Sequence, residues 1–364
     1  MVFRFLLLVS IVTLISCSSD KRQPPSELNI LPANGPSDLT FTVDAPLYGT
    51  RAHTRHQFDE NAYYTRVSNN GSVVVYNETT GVSRHFSVME DDKFALSYPC
   101  SVHMINEDDV VIFGSSSAVR YRLSDSAIVD YFTFSKSSSD IPAPDGYFVP
   151  MDPSYPLAGH GNKVYTTLRR DDGDPFSFPY VYEGPSIGEM DLESKTLRPL
   201  DISHDHGGVF YGALHKENIA HHDNSLYIAY EFSPDVYQYN LATGTMKKHK
   251  LPAFQGSENR PFTGASDPTD MIQHLNQSVA YGKLYFSNDG ATIFQVMLVP
   301  STENPGKTRV GAVRKMNRKF EVLKEGRLPK YSVPGNVFVT DDQLHFQYNK
   351  SSSKEGEIFY RTLE

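Results

Sequence analysis

From residue 38 onward three observations predict an all-β fold, a propeller of six blades. Helical periodicity is nearly absent, one strand-and-turn unit recurs, and a lone leading strand faces a final unit that stops one strand short. Short β-branched and aromatic runs alternate with clusters of Gly, Asn, Asp and Ser. The unit is a strand, a turn, a strand ending in Tyr-Asn or Met-Asp, a polar turn, and an outer strand of mixed charge. Its clearest copies are Val73 to Gly81 followed by Arg84 to Val88, and Val236 to Gly244 followed by Lys247 to Leu251. Both carry Thr-Gly at the turn, where glycine takes positive φ without penalty.

Weaker copies centre on Tyr121, Met190, Met316 and Phe359, which with Tyr76 and Tyr239 make six. Their spacings are 45, 69, 49, 77 and 43 residues, and the short ones match the roughly 40 to 50 residues of a propeller blade. The long gaps call for insertions, for which Asp171 to Pro185 and Pro300 to Lys307 are the candidates. The strand Leu39 to Asp44 has no blade of its own, and its expected use is to complete the last blade and close the ring. Seven blades, or a two-sheet sandwich or barrel, are the alternatives.

Ahead of this domain, assigned to residues 38–364, the chain opens with Arg4, an apolar run from Phe5 to Ile15 and Ser16-Cys17. This is the layout of a signal peptide over residues 1–16, and its 11 apolar residues are too few to span a bilayer. Leu14-Ile15-Ser16-Cys17 resembles the bacterial lipobox, which would make Cys17 the lipidated first residue of the mature protein. Residues 17–37 follow as a tether with Pro24, Pro25, Pro32 and Pro36, able to reach about 60 Å where extended.

With Cys17 lipidated, Cys100 has no partner within the chain, so no disulfide staples the fold and stability must come from a large core. The formal net charge of -9 argues against nucleic acid, whose phosphates demand clustered Lys and Arg. Two basic groupings, Lys247 to Lys250 and Arg314 to Lys319, are expected on exposed strand edges, where lysine discourages edge pairing.

Histidines concentrate at His204, His206, His215, His221 and His222, with Asp205 and Asp223 among them, in what reads as a loop between blades three and four. A transition-metal or proton-transfer site over His204, His206, His221 and His222 is one reading, and a solvated polar loop is the other. Asp171, Asp172 and Asp174 supply hard oxygen ligands around a turn, as calcium sites do, but without the full loop pattern. The adjacent Arg169 and Arg170 could bind an anion by forked hydrogen bonds, or pair with the neighbouring aspartates. Ser287 to Phe294 resembles a sialidase Asp-box yet departs from it in spacing, and reads better as a plain Asp-Gly hairpin. Asp267-Pro268 has the pattern of a helix start, with Asp267 as cap. No nucleophile elbow, nucleotide-binding glycine loop or zinc-protease motif occurs, and Trp is absent.

From lipobox through six degenerate repeats, the layout resembles the uncharacterised six-bladed propeller lipoproteins of Bacteroidetes-type bacteria. The resemblance implies a fold and a cell-envelope location. Ser18, directly after the cysteine, is similar to the pattern of lipoproteins sent to the outer membrane, with the periplasmic or surface side left open. The expected function is a membrane-tethered binding or scaffold module with an envelope protein, glycan or peptide as partner. The interblade loops near 140–160, 203–222 and 255–275 are the expected contact face, and no cofactor is required. The alternative is a hydrolase or lyase acting on an envelope glycan or peptide with the histidine stretch in its site, which requires those histidines to meet carboxylates in one pocket.

Overall fold

Turn chemistry explains why the recurring unit folds as it does. Where its third strand ends in Asn or Asp, that side chain accepts backbone N–H groups of the turn: Thr80 to Asn77 at 2.9 Å, Glu193 and Ser194 to Asp191 at 3.0 Å, and Ala242 and Thr243 to Asn240 at 3.0 Å. The chain then needs one residue at positive φ to reverse, supplied by Gly81 (φ 69°) and Gly244 (φ 67°). The Tyr-Asn and Met-Asp endings are therefore hairpin instructions.

The computed structural model describes residues 26–27, 39–42 and most of 50–363. Outside the description lie 1–25, 28–38, 43–49, 59–60, 69–71, 78, 89–95, 97–100, 135–137, 151–156, 172–181, 265–266, 330, 341–342, 349–356 and 364. The expected signal peptide, Cys17 and nearly all of the expected tether fall among these.

Six four-stranded antiparallel sheets form the blades. From the innermost strand outward, blade 1 comprises Thr50–Phe58, Asn61–Ser68, Ser72–Asn77 and Ser83–Ser87, and blade 2 Ser101–Met104, Asp109–Phe113, Ser117–Arg122 and Ala127–Thr133. Blade 3 comprises Ala158–His160, Lys163–Thr167, Ile187–Asp191 and Thr196–Pro199, and blade 4 Glu217–His222, Ser225–Tyr230, Val236–Asn240 and Met246–His249. Blade 5 comprises Ala280–Phe286, Thr292–Pro300, Arg309–Asn317 and Val322–Arg327, with Ser26–Glu27 added in parallel at its outer edge. Blade 6 takes Ser332–Thr340, Gln343–Tyr348 and Glu357–Leu363 from the end of the chain and Leu39–Thr42 from its start, paired Leu39 to Tyr360 and Thr42 to Glu357.

The ring is thus closed by the N-terminal strand, as the sequence predicts. All six anchor residues lie in third strands, although Phe359 sits at the start of its strand and the other five near the ends of theirs. Deleting residues 38–44 is expected to lower the melting temperature far more than deleting 20–36. Equal melting temperatures for the two truncations would sink the closure.

The core lies between neighbouring blades. Tyr121 joins Val67, Val73, Val102 and Ile112 between blades 1 and 2, and Met190 joins Val111, Phe113 and Val164 between blades 2 and 3. Each fully buried Val, Leu, Ile or Phe contributes about 1.5–3 kcal/mol, so interblade packing can replace covalent staples.

Pro300 to Lys307 does bridge two strands of blade 5, but much of the excess length lies in the connections between blades, residues 134–157 and 250–279. The second of these carries helix α1, Pro268–Gln277, whose N-cap Asp267 accepts the Thr269 N–H at 2.7 Å. Its ten residues exceed the single turn that the motif alone suggests. Lys247 and Lys248 sit on the outer strand of blade 4 as expected. Arg314, by contrast, is fully buried, with its guanidinium on Glu325 at 3.0 Å and on the Pro252 carbonyl at 2.8 Å. No helix among the described residues is long and apolar enough to cross a membrane.

Candidate functional site

The histidine-rich stretch does not form one loop. His204 and His206 lie in the connection between blades 3 and 4, whereas His221 and His222 end the innermost strand of blade 4. The chain reverses into and out of that strand, so the two pairs lie toward opposite ends of it. Among the described residues no group of three or more His, Cys, Asp or Glu side chains is placed to hold a metal ion.

His204 is buried with Glu217 and Arg169. The Glu217 carboxylate accepts from Arg169 Nη1 at 2.6 Å and Nη2 at 2.7 Å, and His204 Nε2 stands 2.9 Å from it. Burial opposes ionisation of Glu217, but the Arg169 charge outweighs it and holds the carboxyl down to about 2. An ionised carboxylate only accepts, so His204 Nε2 carries a hydrogen. This is an interior ion cluster that pins blade 3 to blade 4, and it corrects the pairing of Arg169 with adjacent aspartates. Arg170 pairs with Glu183 at 3.1 Å. His206 stacks on Tyr182, with ring centroids 4.7 Å apart, and accepts the Gly208 N–H at 2.9 Å. Asp171 is exposed and gives its N–H to the Gly146 carbonyl at 3.0 Å, while Asp172 and Asp174 lie outside the described residues. Ser287 to Thr292 forms the plain hairpin, Asp289 accepting from Ser287 Oγ at 2.7 Å.

The innermost strands of all six blades instead converge on a cavity of about 420 Å³ in the central channel. It sits toward the ends of those strands that lead into the first hairpin turns. Interblade connections enter at the opposite ends, so the cavity is lined by only the last residues of the expected contact stretches 140–160 and 203–222. Four blades each send a histidine from that stretch of strand: His56, His103, His160 and His221, with His222 beside the last. Blade 5 sends Lys283 and Tyr285, and blade 6 Phe338.

The rings contact one another around the channel. His56 meets His103 edge-on at 5.6 Å, His160 stacks on His221 at 5.4 Å, and His222 stacks on Phe286 at 4.7 Å. His103 reaches across the blade boundary to the Gly161 carbonyl, 2.9 Å from Nε2, so that nitrogen donates. It passes over Gly159, where a Cβ would fall 2.6 Å from the imidazole, and no larger residue fits under the ring. Burial, with neighbouring histidines acting the same way, lowers His103 and His221 to about 4, so these rings are neutral at neutral pH.

Lys283 differs from its neighbours. Its side chain is half-buried, and the partial desolvation lowers its ammonium to about 8, where it still carries its proton at pH 7. Among the described residues its partner is the Tyr285 ring, 5.8 Å away. Of the described residues lining the cavity only Asp223 is acidic, and it lies 3.6 Å from His222 and 3.9 Å from Arg318.

Sequence reasoning passed over His56, His103, His160 and Lys283. The signal was present as a histidine one to three residues ahead of the Asn- or Asp-bearing first turn in each of four blades, as in His160-Gly161-Asn162 and His222-Asp223-Asn224. A second cavity, about 660 Å³, lies on the interblade face between residues 257–264 and α1, lined by Arg260, Phe262, Asp270 and His274.

No family model matches the sequence, and no curated protein matches it. Solved structures do. The chain is similar to a member of the DUF4221 family from Bacteroides vulgatus, with a TM-score of 0.72 and 13% identity over 94% of this chain and 99% of that one. It is also similar to a putative exported protein from Bacteroides fragilis, with a TM-score of 0.54 and 9% identity over 90% of this chain and 94% of that one. Both agree with the resemblance to Bacteroidetes propellers drawn from the layout. The chain has the six-bladed propeller fold of these Bacteroides proteins.

Proposed function

We propose that this is a lipid-anchored envelope binding module that takes a small molecule in its central channel. The observation that carries the reading is the cavity built by all six blades, whose volume falls within the roughly 300–1,000 Å³ of small-molecule sites. Its walls combine apolar and aromatic side chains with a few convergent polar groups, the composition such sites need. The similarity to an exported Bacteroides protein and the lipobox at Cys17 support an envelope location, with the outer membrane as the destination and the chain's start as the tether.

The hydrolase or lyase alternative required His204, His206, His221 and His222 to meet carboxylates in one pocket. They are divided between an interior ion cluster, a Tyr182 stack and the channel, so the binding reading is favoured. Native mass spectrometry of the lipidated protein, purified gently from its own envelope, is expected to show a small-molecule adduct. The adduct should be lost in His160→Trp, which fills the channel from an exposed position. Fatty-acid labelling should disappear in Cys17→Ser. Adducts unaffected by His160→Trp would remove the channel reading, and labelling that persists would remove the anchor.

A further inference from the structure

Resting on the channel reading, we infer that the ligand is a small monoanionic organic acid, its carboxylate seated on Lys283 and its body against the aromatic wall. A cation withdrawn from water is costly unless an opposite charge or several acceptors meet it. Lys283 lines the cavity, and among the described residues it has no ion pair and no hydrogen bond; a ring face 5.8 Å away is a weak substitute. Two fully buried cations of this protein are answered. Arg169 has Glu217 at 2.6 Å, and Arg314 has Glu325 at 3.0 Å. An ammonium left open toward a cavity is the group a ligand carboxylate would complete.

The charge count favours one negative charge over two. Among the described residues lining the cavity Lys283 is the only lysine or arginine, and Asp223 is the only acid, so the site offers a single fixed cation. That cation balances a carboxylate; a phosphate dianion would leave one charge unmet. The walls settle the body of the ligand. Phe58, Tyr285, Phe286 and Phe338 line the same space, and His222 already lies flat on Phe286 with planes 2° apart. Flat or apolar groups fit that surface.

Asp59, Glu60, Asp341 and Asp342 fall in the segments that follow the innermost strands of blades 1 and 6, outside the described residues. The test therefore includes the ligand-free protein. If Lys283 lacks a carboxylate partner, Lys283→Met should melt at a higher temperature than the wild type, because it removes a partly desolvated charge. A lower melting temperature would show that the protein itself supplies the counter-ion, and would overturn the proposal.

The ligand arm uses benzoate, phenylacetate and hexanoate against their primary amides, followed by calorimetry and thermal shift on the mature protein. At least one acid is expected to bind 10-fold or more tightly than its amide, with that advantage abolished in Lys283→Met and all binding abolished in His160→Trp. Equal affinity for acid and amide, both lost in His160→Trp, would overturn the anion and leave the channel reading standing. Binding indifferent to His160→Trp, or no binding by any probe, would overturn both. Phenyl phosphate binding tighter than every carboxylate would overturn the single-charge argument.

Discussion

Replacing Arg169 by leucine is expected to destabilise the protein by about 3–5 kcal/mol, the penalty for leaving a buried charge uncompensated. Glu217 is wholly inaccessible, and Arg169 supplies two of its charge-assisted hydrogen bonds. Thr167 Oγ1 at 3.4 Å and His204 Nε2 at 2.9 Å cannot replace a guanidinium that also ties down the Leu168 and His215 carbonyls. In the variant the carboxyl should recover part of the loss by taking up a proton, so its stability should improve relative to wild type as pH falls toward 5. Combining Arg169→Leu with Glu217→Gln should be milder than Arg169→Leu alone, because no ion then remains to be buried. Urea midpoints for the two single variants and the double variant measure the coupling. A loss under 1 kcal/mol for Arg169→Leu would show that the cluster is not the interior pin described above.

Acid should melt the propeller in two stages, the first between about pH 6.5 and 4. His103, His215, His221 and His345 are each lowered to about 4, chiefly by burial. With the unfolded value near 6.5, the unfolded chain binds protons that the folded one refuses across this window. Stability is therefore full above about pH 6.5 and falls as the pH drops, each unit of difference corresponding to about 1.4 kcal/mol. Glu231 works in the opposite direction: burial raises its carboxyl to about 7, so from pH 7 down to about 4.5 acid favours its folded form. Four histidines against one glutamate leave a net loss on the order of several kcal/mol. In the second stage Glu217, held at about 2, gives up its contribution as the pH falls below about 4.5. Melting temperatures across pH 7 to 3 test the scheme, and His103→Gln should flatten the upper slope. An unchanged slope in that variant would exclude the ring as the titrating element.

Much of this architecture is legible in the sequence because it is written in local chemistry. Asn77, Asp191 and Asn240 are turn residues whatever surrounds them, and Asp267-Pro268 caps a helix by its own geometry. The channel is not legible in that way. Its histidines come one per blade, and only the angular stacking of the blades makes neighbours of His56 and His103, or of His160 and His221. Proximity along the chain misled in the opposite sense. His204 and His221 look like one cluster, yet the first faces an interior carboxylate and the second an open cavity. Arg169 passes over the adjacent aspartates for a glutamate 48 residues away, because inside the protein pairing is decided by who else is buried.

Ring closure also sets an order of events for the growing chain. Leu39–Thr42 is made before any blade exists, yet its partner Glu357–Leu363 is made more than 300 residues later. Blades 1 to 5 can take shape as they emerge, but the seam waits for the final hairpin, the sequence separation that slows a folding reaction most. During that wait the first strand and the outer edge of the last blade are both unpaired, and a second copy of the chain could supply either one. Crowding would then favour interlocked dimers built by exchange of this one strand, so folding yield should fall as the concentration of unfinished chains rises.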